Sequence, residues 1–329
     1  MVKINLIVML MFACAMAHSQ EIFNLLNGWE ALDRAELIAK YKIQLQEFNK
    51  AKVLEIAKID KATIAQELAH PTKLRQSECI ATYASNGSER VLNLKRALPQ
   101  GSKKESEIFY YTNSKKSLYL YKNLKYAVVE DFSCELEEPI FTQYLTSIPV
   151  FPQLGTWVGF KDLLKNGKLS FTKKDDTTNV FIKVPSHSFN GKDAFENYNI
   201  CIKNGKISSL QLNKSLEKDG IVVDTMPVEC EIKYLDYAKI GKVEIPRQIE
   251  INRYFAHKIS DKPSAKYEQI KTSSEKLEIV EYSTDGEAIK REFAVNIEKG
   301  TRISDSIQNK SFVIGDFLDR LEKNVNARK

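Results

Sequence analysis

The chain has 329 residues, of which 43% are hydrophobic and 28% are charged, and its formal net charge is +6 at pH 7. This hydrophobic content is enough for the packed core of one large domain or two small ones. Lysine and arginine are spread along the chain instead of forming a basic patch, so we expect no nucleic-acid partner.

The first nineteen residues have the pattern of a secretory signal peptide. Lys3 precedes an unbroken apolar run from Leu6 to Ala17, and small residues with the spacing of a cleavage site follow. The run is too short to span a bilayer as a helix. We therefore predict a signal peptide over 1–19 and a single domain over 20–329, in a protein that is periplasmic or secreted.

The five cysteines leave two questions open. The segment Met11 to Ala13 resembles the one that precedes a lipidated cysteine, so anchoring through Cys14 is an alternative to plain cleavage. An even number of cysteines remains after the signal peptide, and in an oxidising compartment this favours at least one disulfide. The pairing stays open, as does the alternative of free buried thiols, for Cys79, Cys134, Cys201 and Cys230.

The N-terminal part of the predicted domain has a helical pattern. Asn27 can cap a helix, and Glu30 stands three residues later to complete a capping box. An apolar stripe at helical spacing follows at Leu37, Tyr41, Leu45 and Phe48. Residues 50–70 fit either a continued helix or a strand.

From Ser77 onward the pattern is that of short strands. Asn86-Gly87 and Asn204-Gly205 are strong hairpin signals because both residues tolerate a positive φ. Alternation of apolar and polar residues predicts an antiparallel sheet with one solvated face. The predicted strands are 79–84, 90–94, 107–112, 117–122, 125–130, 180–184, 198–203, 206–212, 228–234, 249–251, 277–282 and 293–297.

Two further short helices are predicted, one over Trp157 to Leu164 and one from Asp316. Together these patterns predict an α+β fold, in which a long curved antiparallel sheet is wrapped over the N-terminal helix and the short helices. We find no internal repeat and no linker that would divide the chain.

No catalytic or metal-binding motif is present in the sequence. The histidines of the predicted domain, His70, His187 and His257, are far apart and belong to no ligand motif. The carboxylates of Glu137 and Glu138 are neighbours along the chain, so they would not meet across a cleft. We therefore expect a non-enzymatic protein with no metal and no cofactor.

An apolar binding surface is the strongest functional hypothesis from the residues alone. The strands that contain Tyr110 and Leu120 have large apolar side chains on both faces, so both faces must be covered or must line a cavity. The segment 147–166 supplies a candidate lid, with Ile148, Phe151, Leu154, Trp157 and Phe160 as its ligand-binding residues. The alternative is that all these residues form an ordinary core.

Two short segments resemble the LolA/LolB-like lipoprotein-carrier superfamily. Residues 237–251 contain a strand, a glycine turn and an Ile-Pro-x-x-Ile strand, and residues 298–305 read EKGTRISD. The resemblance implies an incomplete antiparallel barrel with an apolar concave side that shelters acyl chains. It implies a lipid or lipidated protein as partner, with peripheral contact to a membrane. The alternative is an envelope structural or interaction protein without a ligand cavity.

Overall fold

The fold was analysed in a computed structural model. It describes residues 35–56, 58, 61, 76–96, 106–112, 116–131, 150–153, 156–159, 167–186, 191–241, 243–259, 266–295 and 297–315. The strands of the first half are β1 (Glu36–Glu47), β2 (Gln76–Asn86), β3 (Arg90–Arg96), β4 (Ser106–Thr112), β5 (Lys116–Tyr121), β6 (Tyr126–Asp131), β7 (Val150–Gln153) and β8 (Thr156–Gly159). Those of the second half are β9 (Lys168–Lys174), β10 (Thr177–Pro185), β11 (Asp193–Lys203), β12 (Lys206–Lys218), β13 (Ile221–Thr225), β14 (Cys230–Ile240), β15 (Val243–Lys258), β16 (Tyr267–Ser283), β17 (Arg302–Asp305) and β18 (Lys310–Val313). The helices are α1 (Lys50–Ile56) and α2 (Gly286–Glu292), with a 3₁₀ turn at Lys122–Leu124.

The described residues divide into two compact units. Unit 1 contains residues 147–238 and 243–274, and unit 2 contains residues 34–146, 239–242 and 275–329. No helix in the described ranges is long and apolar enough to cross a membrane.

Unit 2 is built on an antiparallel meander with one parallel addition. Its strand order runs β18-β17-β6-β5-β4-β3-β2-β1, and β17 pairs with β6 in parallel. Asn86 forms the predicted turn between β2 and β3, since its side-chain oxygen accepts hydrogen bonds from the N–H groups of Ser88 and Glu89. Gly87 in this turn has a φ of 87°, a conformation that glycine adopts without strain.

Two hydrophobic clusters stabilise unit 2. The first is buried between the strands and residues 293–314, and its buried members are Val91, Phe109, Leu120, Ala127 and Ile303. The second joins α2 to the sheet, because Ile289 of α2 packs against Ile38 of β1 and Ala84 of β2.

Unit 1 contains a second antiparallel meander, with strand order β15-β14-β12-β11-β10-β9, and β13 pairs with β12. The predicted Asn204-Gly205 hairpin is confirmed: Lys203 pairs with Lys206, and both turn residues have positive φ. Alternation along β10 to β12 buries one face of this sheet, including Ile182, Ile200 and Leu210. The opposite face has the polar residues.

The predicted fold class is confirmed in its main features, because the structure is mostly antiparallel sheet, is not closed and has few helices. The helix predicted at Leu37 to Phe48 is wrong, since Glu36–Glu47 form β1. The stripe at positions 37, 41 and 45 has a spacing of four, which is also two periods of a strand. Leu37, Ala39, Tyr41 and Ile43 are accordingly buried on one face of β1.

Two other predicted elements are also corrected. Trp157 lies in strand β8 and not in a helix, and it pairs with Pro152 of β7. The strand predicted over 293–297 is not formed by its described residues, 293–295 and 297, which follow the end of helix α2. Asp285 caps α2, because its side chain accepts a hydrogen bond from the N–H of Glu287 at 3.1 Å. The helices predicted at Asn27 and from Asp316 lie outside the described residues.

The cysteines of the described residues are free thiols, at Cys79, Cys201 and Cys230. Strand β12 separates Cys201 of β11 from Cys230 of β14. Adjacent strands are about 4.8 Å apart, so two strand spacings exceed the Cα separation that a disulfide can bridge. The predicted disulfide is not formed in the structure, and Cys134 lies outside the described residues.

Candidate functional site

A cavity of about 490 Å³ lies on the polar face of the unit 1 sheet. This volume is in the range of small-molecule binding sites. The residues that line it are Lys168, Ser170, Phe181, Ile182, Lys183, Asn197, Tyr198, Asn199, Gln211, Asn213, Ser215, Glu217, Val222, Thr225 and Val228.

Strand register places the amide side chains of the cavity side by side. Asn197 of β11 is directly opposite Asn213 of β12, and Asn199 is directly opposite Gln211. Because successive side chains of a strand point to opposite faces, these four amides lie on the face of the sheet opposite to the buried side chain of Tyr198. The sequence therefore builds a row of hydrogen-bonding groups across the middle of the sheet.

Two of these amides have protein partners, and two have a buried oxygen without one. Asn197 Nδ2 donates to Ser215 Oγ at 3.0 Å, and Gln211 Nε2 donates to Glu231 Oε1 at 3.2 Å. The Oδ1 atoms of Asn199 and Asn213 are buried and accept no hydrogen bond from the described residues. An unpaired buried acceptor costs roughly 1–3 kcal/mol, so a hydrogen-bond donor that reached these oxygens would be favoured.

Three charged side chains line the cavity. Lys183 Nζ forms an ion pair with Glu217 and lies 4.1 Å from the centre of the Phe195 ring. Lys168 of β9 is directly opposite Lys183. The lining therefore contains two ammonium groups and one carboxylate.

The lining also has an apolar part, which includes exposed side chains. Phe181 is 41% exposed and Val222 is 54% exposed, and Val228 lies beside them in the lining. Val222 reaches the cavity because β13 folds back on β12 through a tight turn, in which Asp219 and Gly220 have positive φ. The cavity thus offers both hydrogen-bonding groups and apolar surface to a ligand.

A hydrogen-bonded cluster holds β13 beside the cavity. Asp224 Oδ2 accepts a hydrogen bond from the Tyr267 hydroxyl at 2.9 Å and forms an ion pair with Lys258 Nζ at 2.5 Å. Burial acts to raise the pKa of the Asp224 carboxyl, but the hydrogen bonds from Lys258 and Tyr267 outweigh it and hold the pKa below its usual range. Asp224 is therefore ionised at neutral pH and fixes one end of β13.

The residues predicted for the apolar site are not part of this cavity where the structure describes them. Leu120 is buried in the first cluster of unit 2, as in the alternative of an ordinary core. Tyr110 lies in β4, opposite Tyr119 of β5. Phe151 and Trp157 lie in the short β7–β8 hairpin. Ile148, Leu154 and Phe160 lie outside the described residues.

Sequence reasoning missed the cavity residues because alternating polar residues in a strand are typical of a solvated face. One signal was available, since Asn-x-Asn in β11 and Gln-x-Asn in β12 place four amides on one face. Within the described ranges, no group of three or more His, Cys, Asp or Glu side chains could hold a metal ion.

Comparisons with known proteins give limited information. No family model matches the chain, and no curated protein matches it. Among solved structures, the chain is similar to the crystal structure of the LolA superfamily protein NE2245 from Nitrosomonas europaea, with a TM-score of 0.35 and 7% sequence identity. The similarity covers 79% of this chain and 91% of that chain.

Proposed function

We propose that the protein is an exported, non-enzymatic binding module that takes a small amphipathic ligand, such as a lipid with a polar head, into the cavity of unit 1. The observation that carries the proposal is that Asn199 and Asn213 line the cavity, and that the buried Oδ1 atom of each has no hydrogen-bond partner among the described residues. A ligand that donates O–H or N–H groups would satisfy both atoms.

The amphipathic character of the ligand follows from the two kinds of lining surface. The amides lie on β11 and β12, whereas Phe181 and Val222 present exposed apolar surface in the same cavity. Burial of apolar surface contributes about 25 cal/mol per Å², so the apolar part of a ligand would supply affinity. The amides would orient its polar end.

Export is supported by the signal-peptide pattern of residues 1–19. A lipid or lipidated partner is consistent with that location, and it is also what the resemblance of residues 237–251 implies. The proposal moves the ligand from the predicted lid at 147–166 to the amide-lined face.

The proposal is tested by titration of the purified protein with 1-decanoylglycerol, which joins two hydroxyl donors to one acyl chain. Isothermal titration calorimetry should show saturable binding to one site. Replacement of Asn199 with Leu should weaken this binding by roughly tenfold, because one ligand hydrogen bond is lost. The control is Gln44→Leu, which removes an exposed amide of unit 2 and should leave binding unchanged. Absence of saturable binding by the parent protein would refute the proposal.

A second candidate is an interaction role, which the exposed apolar strand β13 favours. Ile221 is 68% exposed, Val223 is 46% exposed, and β12 is the described pairing partner of this strand. A strand that has an unpaired edge and exposed β-branched residues readily pairs with another chain through that edge. If this role holds, Val223→Lys should reduce self-association measured by sedimentation velocity. A parent protein that stays monomeric at high concentration would count against association through β13.

A further inference from the structure

The charged residues of the cavity point to the chemistry of the ligand's polar end. Lys168 and Lys183 are directly opposite each other on β9 and β10, and both line the cavity. Directly opposite side chains on an antiparallel pair have Cβ atoms about 4.5–5.5 Å apart, and like charges there are destabilising. The register therefore brings two lysine side chains of like charge to the same part of the cavity lining, where Lys168 is exposed to solvent.

Only part of this positive charge is neutralised by the lining. Glu217 is the single carboxylate among the lining residues, and it pairs with Lys183. Lys183 is held further by its contact with the Phe195 ring. Within the described ranges, Lys168 forms no ion pair, so its exposed ammonium group is compensated by solvent alone.

We infer that the ligand of this cavity carries an anionic group, a phosphate or a carboxylate, which binds beside Lys168 and Lys183. This inference rests on the proposed function and specifies its ligand class: an anionic amphipath whose hydroxyl or amide donors reach Asn199 and Asn213. The anion would compensate the charge of Lys168 and relieve its repulsion from Lys183. An ammonium–phosphate contact is a charge-assisted hydrogen bond, which is about twice as strong as a neutral one.

The test uses two probes with the same acyl chain, 1-decanoylglycerol and 1-decanoylglycerol 3-phosphate, in which a phosphate replaces one of the two hydroxyl groups. Calorimetry is performed below the critical micelle concentration of each probe. The parent protein should bind the phosphate form at least tenfold more tightly. Lys168→Gln should lose roughly tenfold in affinity for the phosphate form and should keep its affinity for the neutral form.

A matched control is Lys203→Gln, which removes an exposed lysine at the β11–β12 hairpin, outside the cavity lining. It should bind both probes as the parent does. Because both lysines are exposed, neither replacement should prevent folding, and equal melting temperatures would verify this.

The outcomes separate this inference from the proposed function. If the parent binds both probes equally, or if Lys168→Gln binds the phosphate form as well as the parent, the anionic inference is overturned and the proposed function stands. If neither probe binds, both fail. A third titration with inorganic phosphate distinguishes a lipid head group from a free anion. Binding of inorganic phosphate as tight as that of the acylated probe would overturn the amphipathic assignment.

Discussion

Replacement of Asn213 with Leu should make the protein more stable and a weaker binder at the same time. The Oδ1 atom of Asn213 is buried and unpaired, and such an acceptor costs roughly 1–3 kcal/mol. Leucine has a similar shape and no polar atom, so the substitution removes that cost. Since Asn213 is only half-buried, we expect the free energy of unfolding to rise by about 1 kcal/mol, near the lower end of this range.

The control for this substitution is Asn197→Leu, which lies directly opposite on β11. Asn197 Nδ2 donates to Ser215 Oγ, so its replacement leaves a buried hydroxyl unpaired and should lower the free energy of unfolding by about 1 kcal/mol. The two variants should therefore shift stability in opposite directions.

Urea denaturation of parent and variants measures both effects, and calorimetry with 1-decanoylglycerol measures binding. A change of 1 kcal/mol corresponds to about 2–4 °C in the melting temperature of a domain of this size. If Asn213→Leu is destabilised and binds the ligand as the parent does, the amide has a structural role and the reasoning is refuted.

Three further predictions concern the anchor of β13, the core and processing. Asp224→Asn should lose about 1–2 kcal/mol of stability at pH 7, because charged hydrogen bonds are lost. Because the pKa of Asp224 is lowered in the folded protein, this contribution to stability is fully present above the unfolded pKa of about 3.9 and is lost as the pH falls through the folded pKa. Urea denaturation should therefore show that the free energies of unfolding of variant and parent converge in acid. Leu120→Ala should lower the free energy of unfolding by about 2–5 kcal/mol, because it leaves a cavity in the core. The folded variant should bind 1-decanoylglycerol with unchanged affinity, and weakened binding would indicate that Leu120 belongs to the ligand site. Intact-mass analysis of exported protein should give a chain that begins at His18 or Gln20, whereas a mass with diacylated Cys14 would contradict plain cleavage.

The sheet was predictable where local chemistry is unambiguous. Asn204-Gly205 forms its hairpin because both residues tolerate positive φ, and this preference does not depend on the rest of the fold. Strand β1 was not predictable from its stripe, because a spacing of four fits a helix and a strand equally. Its neighbour β2 decides the outcome, since Leu37 pairs with Ser85 across 48 residues of chain. Helix α2 was missed because aspartate favours a turn and a helix cap alike.

The candidate site was less predictable than the fold. An exposed polar strand face and an amide-lined cavity have the same alternating sequence, and the difference lies in what covers the face. Val222 and Val228 belong to the lining only because β13 turns back on β12 at Asp219 and Gly220. The register that places Asn199 beside Gln211 is set by the local hairpin together with a register shift between Cys201 and Ile202, which the sequence pattern does not show. For the apolar residue Leu120, the sequence alone does not separate a core role from a ligand-binding role, because core and ligand-binding residues have the same composition.

The most direct test of the binding proposal is a ¹H–¹⁵N NMR titration of the side-chain amides with 1-decanoylglycerol. We predict saturable shifts of the NH₂ signals of Asn199 and Asn213, together with backbone shifts confined to β9–β13 around the cavity. The signals of β2 and β3 should not move. Saturable shifts centred on residues 147–166, with those two amide signals unchanged, would contradict the account and place the ligand at the segment first predicted as a lid.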